Sequence, residues 1–121
     1  EQVSDQLEEL MGQLDIPASG PGLVRAFALF DRFRAQLLDA VGDFDASEGW
    51  RAEGATSATA WLRRETRQSR REASSCARAA RRLRDLPVTA AAYLDGALST
   101  GQVQAIVANL NDEIAPLFAG G

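Results

Sequence analysis

The sequence predicts an all-α fold of about six helices: a long N-terminal helical hairpin, then a compact bundle of shorter helices. Three observations predict it. Apolar residues recur at three- and four-residue steps along most of the chain, the period of one helix face. No segment alternates apolar and polar residues over a useful length, so strands have no support. Glycine, proline and two Ser-x-x-Glu/Gln patterns punctuate the chain at the places where helices would start and stop.

The elements follow in order. Within residues 2–14, Val3, Leu7, Leu10 and Leu14 alternate four- and three-residue steps, and Met11 widens the stripe. Pro17, Gly20, Pro21 and Gly22 break this helix. A longer one, over 22–44, keeps the spacing with Leu23, Phe27, Phe30, Leu37, Val41 and Phe44, with Phe33 beside them. Two such stripes predict a coiled-coil-like hairpin, closed within one chain or across a homodimer. Its candidate contact residues are Val3, Leu7, Leu10, Leu14, Phe27 and Phe30. Residues 42–54 read as a looser, acidic connection containing Trp50. A short helix over 57–67 carries Trp61 and Leu62, and Gln68-Ser69 is read as the turn after it. Ser69 and Glu72 form a capping box, which starts the next helix near Arg70. That helix runs to about Arg84 and stops before Leu86-Pro87. The pair reads as helix-turn-helix-like. A helix over 88–95 closes at Gly96 as the residue past its end. Ser99 and Gln102 form a second capping box and open a helix over 100–110, lined by Val103, Ile106, Val107 and Leu110. The organisation is an acidic hairpin at 1–49, a core at 50–111 and a tail at 112–121, in which Ile114, Leu117 and Phe118 can pack back. A chain of 121 residues makes this one domain overall.

Charge is the most uneven property of the chain. Residues 51–84 hold ten arginines against three acids, a net +7, while the remainder holds three arginines against fourteen acids, a net −11. Such polarity marks a surface that meets a partner. At 100° per residue, Arg70, Arg71, Arg78, Arg81 and Arg82 fall within an arc of about 120°. Ala73, Cys76, Ala77, Ala80 and Leu83 take the other side, and Ser74 and Ser75 sit at or near the basic face. Guanidinium forks at turn-like intervals with hydroxyls between them suit phosphate oxygens. Arg63, Arg64 and Arg67 flank the face. Two partners are open to it: an anionic macromolecule such as DNA, or the chain's own carboxylates, since residues 1–50 carry three arginines and ten acids.

Several chemistries are excluded. The chain has no histidine and one cysteine, which removes imidazole acid–base catalysis, Ser-His and Cys-His nucleophile pairs, and zinc sites using imidazole. Neither Asp43 and Asp45 nor Asp112-Glu113 forms a dense metal-ligand pattern. No metal and no cofactor is expected, and no Gly-rich phosphate loop is present. Cys76, on the apolar side of its helix, reads as an inert buried thiol. A lone cysteine fits a reducing cytoplasm, and no apolar run approaches the length of a membrane span. Trp50 and Trp61 read as core anchors. The chain starts at Glu1 rather than Met, as an excerpt of a longer protein would.

One set of residues carries a resemblance. Gly54-Ala-Thr-Ser-Ala-Thr-Ala-Trp61-Leu62, Ser69-x-x-Glu72-Ala73, Leu83-x-x-Leu86-Pro87 and Gly96-x-Leu98-Ser99 recur in this order. The set resembles the core of a bacterial domain of unknown function (number two-two-two), over about residues 50–110. The resemblance implies a setting in high-GC Gram-positive bacteria and their mobile repeats, N-terminal to an HNH endonuclease domain. Many relatives carry histidine where this chain has Gln102. An HNH site needs histidines, so its catalytic part is not in this chain. The expected function is therefore a non-catalytic domain that assists DNA binding through the arginine face. The alternative is an interaction module: a homodimer, or a cover for a C-terminal nuclease domain, with the arginines meeting an acidic protein surface.

Overall fold

Alanine sets how closely these helices pack. The computed structural model describes residues 2–109. Its helices are α1 (Gln2–Gly12), α2 (Gly20–Ala46), α3 (Gly49–Ala52), α4 (Ala58–Glu65), α5 (Arg70–Arg84), α6 (Pro87–Leu94) and α7 (Thr100–Asn109), with no strand among the described residues. α5 lies at the centre and packs against α2, α4, α6 and α7. Its buried side is Ala73, Cys76, Ala77, Ala79, Ala80 and Leu83. With methyl groups on most of that side, neighbouring backbones come close. At Gly42 of α2 an added Cβ would stand 3.3 Å from the Ala80 carbonyl oxygen, so the two helices cross almost backbone to backbone. Ala35 and Leu38 of α2 continue the same contact. Tyr93, Leu86, Val103 and Cys76 are the largest side chains fully enclosed.

Local signals place the helix ends. Ser69 Oγ accepts from the Glu72 N–H at 3.1 Å, and the Ser69 N–H donates to Glu72 Oε1 at 2.8 Å. Ser99 and Gln102 repeat this at 3.1 and 2.9 Å before α7. Gly96 takes φ 90°, which closes α6 in the left-handed region. The Thr100 N–H also donates to Asp31 Oδ1 at 3.2 Å, and the Tyr93 hydroxyl meets Thr100 Oγ1 at 2.7 Å. These bonds tie the start of α7 to α2 and α6.

The structure corrects three expectations. Residues 42–54 are not a loose connection. α2 continues to Ala46, then Glu48 takes φ 56° and ψ 35°, which stops the helix and turns the chain into α3. Gly49 is needed there for space, because a Cβ would come 2.6 Å from the Phe44 ring. The helix count, seven among the described residues, stays close to the expected six, with α3 as the addition. The link before α5 is four residues: α4 ends at Glu65, Thr66 is extended, and its hydroxyl donates back to the Leu62 carbonyl at 2.6 Å. Finally, α1 and α2 do not close a hairpin within the chain: every described residue of α1 is exposed, and no close packing joins it to α2. Leu23, Phe27, Phe30 and Leu37 are exposed as well: Phe30 and Leu37 lie toward the side away from the core, while Leu23 and Phe27 lie in the first turns of α2, before its first buried residue, Ala35. Leu110 and the 112–121 tail, with Ile114, Leu117 and Phe118, lie outside the described residues.

Ala80→Leu inserts three carbons at the α2–α5 crossing. It is expected to lower stability by about 1–3 kcal/mol or more, read as an earlier midpoint in urea unfolding. An unchanged midpoint would show that the crossing is looser than described.

Candidate nucleic-acid interface

Burying one side of α5 on alanine delivers its arginines to the other. Arg70, Arg71, Arg78 and Arg81 are exposed and Arg82 is half-buried. Arg63, Arg64 and Arg67, from α4 and the link after it, are exposed too. Six of these eight line two shallow surface grooves. Thr59, Ser74, Ala77, Arg78, Arg81, Arg82 and Asp85 line one of about 420 Å³. Ala60, Arg63, Arg64, Gln68, Ser69 and Arg70 line another of about 430 Å³. Each groove thus sets hydroxyl or amide groups among guanidinium forks, the donor set that phosphate oxygens accept from. Arg67 and Arg71 line neither.

The chain's own acids neutralise only part of this surface. Arg81 Nε pairs with Asp45 Oδ2 at 3.0 Å, and Arg84 Nη1 with Asp43 Oδ1 at 2.8 Å, both from the end of α2. Arg64 pairs with Glu65 at 2.6 Å and donates to the Glu53 carbonyl at 2.8 Å. Arg63, Arg67, Arg70, Arg71, Arg78 and Arg82 have no carboxylate within 4.0 Å among the described residues. The Arg84–Asp43 and Arg64–Glu65 pairs are exposed and contribute about 0–1 kcal/mol each, so an incoming anion displaces them at low cost, whereas Asp45 is only 16 % exposed and its pair with Arg81 is less screened. Acidic α1 does not lie across the basic helix. Among the described residues, the masking of this face expected from residues 1–50 comes from Asp43 and Asp45.

At the start of α5, the backbone hydrogen bond from Ser69 holds the Glu72 carboxyl below its ordinary range, helped by the Ser69 side chain. The first turn thus keeps one local anion at the positive end of the helix dipole. Cys76 is buried, and desolvation pushes its thiol up, so it remains protonated at neutral pH. Trp50 and Trp61 are half-buried against the core. Trp61 stacks at a tilt on Phe44 at 4.7 Å and donates to Glu53 at 2.9 Å, so neither is an open platform for a base. No group of three or more metal-ligating side chains occurs among the described residues, and no described helix is long and apolar enough to cross a membrane.

The other candidate contacts, Val3, Leu7, Leu10, Leu14, Phe27 and Phe30, are all exposed, and the chain does not bring the two sets together. Sequence reasoning missed Thr59 and Asp85 in the first groove. Asp85 follows the arginine face directly in sequence, but Thr59 reaches it only through the packing of α4 on α5.

The fold and this surface define an all-helical domain with an alanine-cored central helix and a one-sided arginine face. Residues 23–114 match the family described as "Domain of unknown function (DUF222)", and the chain belongs to that family. Comparison with curated proteins and with solved structures gives no match.

Glu72 gives a pH prediction with a defined sign. Its folded pKa lies below the ordinary 4.5, so its contribution is complete above that value and lost as pH falls through the folded pKa. Glu72→Gln is expected to be less stable than the parent at neutral pH, with the gap closing in acid. Thermal unfolding across that range checks it, and a gap that persists in acid would contradict the capping role.

Proposed function

We infer that this chain is a non-catalytic helical domain that holds DNA by its phosphate backbone, in the service of an HNH-endonuclease-type protein. The observation that carries the reading is the set of six arginines with no carboxylate partner among the described residues, four of which, Arg63, Arg70, Arg78 and Arg82, line two grooves that also carry hydroxyl or amide groups. Arg78 and Arg82 are one turn apart on α5 and line the same groove, so one strand of phosphates can meet both forks. Phosphate contacts position a protein without reading bases, so the domain supplies affinity and register while sequence choice lies elsewhere. The nuclease setting rests on the family resemblance, and the lack of histidine assigns metal-dependent cleavage to another part of the protein.

A second reading has one specific support. Arg81 and Arg84 already take carboxylates from α2, so an acidic protein surface suits the same face.

A duplex-DNA titration separates the two. Neutralising about four phosphates predicts a log–log salt slope of about −3.6. Replacing Arg70, Arg71, Arg78 and Arg82 together by Glu is expected to abolish the binding. Retention by that variant would refute the phosphate reading. Absence of DNA binding at low salt, with capture of an acidic protein, would favour the second.

A further inference from the structure

We propose that α1 of one chain covers the outer apolar stripe of α2 on a second copy, and that the exchange is reciprocal. Two uncovered apolar stripes exist in the same molecule. On α1, Val3, Leu7, Leu10 and Met11 are exposed, and so is Leu14 just past its end. On α2, Leu29, Phe30, Phe33 and Leu37 are exposed on the side away from Ala35, Leu38 and Gly42. Phe30, Phe33 and Leu37 keep the three- and four-residue steps of a helix–helix seam. The outer stripe is part of a helix whose opposite side is anchored in the core, so it is a rigid surface.

Charge selects the pairing. Within 1–15 the acids are Glu1, Asp5, Glu8, Glu9 and Asp15, with no basic residue. Two α1 helices therefore repel each other. Within 20–37, Arg25, Arg32 and Arg34 outnumber Asp31, so α1 is drawn to this half of α2. α1 does not pack closely on its own α2, and the turn between the two is tight. Ser19 Oγ caps the Gly22 N–H at 3.1 Å, and Pro17 packs so tightly that a Cβ at Gly22 would come 2.6 Å from its carbonyl oxygen. Both complementary surfaces thus belong to one chain and face outward, which is what a two-fold interface requires. Covering these nine side chains removes on the order of 900 Å² per protomer, against roughly 800 Å² per partner in a standard interface. The inference stands apart from the phosphate reading. A monomer that binds DNA removes it alone, and a dimer that ignores DNA removes the other alone.

Sedimentation velocity on the full 121-residue chain tests it. The parent is expected to be a dimer, and Leu10→Glu on α1 or Phe33→Glu on α2 is expected to weaken it about tenfold or more. Both sites are exposed in the single chain, so helical content measured by circular dichroism should not change. Mixing the two variants leaves one intact α1–α2 pair and should restore a heterodimer. A parent that stays monomeric at high concentration overturns the proposal. So does a dimer unaffected by both substitutions, or a mixture with no heterodimer.

Discussion

The close crossing of α2 over α5 is the contact on which the remaining structure depends. Gly42 and Ala80 bring two backbones nearly into contact, and that is possible only because the buried side of α5 is almost all alanine. Larger residues there would push α2 outward and open the space that Leu38, Leu83 and Tyr93 fill. The same economy settles where charge goes. With its inner side mostly methyl groups, α5 carries its long polar side chains on the outer side, and all of those but Glu72 are arginines. Core and basic face are two consequences of one pattern.

The electrostatics follow from where α2 ends. Because α2 runs on to Ala46, Asp43 and Asp45 reach the near edge of α5 and pair with Arg84 and Arg81. These pairs brace the crossing from outside. They do not extend to Arg70, Arg71 or Arg78, nor to the arginines that close α4. An acidic protein thus keeps an open basic strip while staying acidic overall, and its net charge says little about what that strip meets.

Much of this was legible in the sequence, and the parts that were not share a cause. The bounds of α5, both capping boxes and the Gly96 stop are set by residues within a few positions of one another. The five-arginine face follows from helix geometry alone. The inner side of α2 was not legible. Its large apolar residues dominate any periodic reading, yet the core takes Ala35, Leu38 and Gly42 because α5 offers a shallow surface that small residues match. Glu48 hid the stop of α2, since the left-handed residue there is not the adjacent glycine. Within the candidate site, the exposed arginines were legible, but their sorting into paired and unpaired was not. That sorting depends on the spatial reach of Asp43 and Asp45, some forty residues away in sequence.

Among the described residues, the chain's own acids occupy one edge of the arginine face and leave the rest open. Arginine-selective dicarbonyl labelling, resolved residue by residue by mass spectrometry, tests it most directly. Arg63, Arg67, Arg70, Arg71 and Arg78 should label quickly, and Arg81 and Arg84 more slowly. Asp45→Asn should release Arg81 without changing Arg70 or Arg71. Uniformly slow labelling of Arg70, Arg71 and Arg78 in the isolated chain would contradict the account, because it would place the acidic segment across the face.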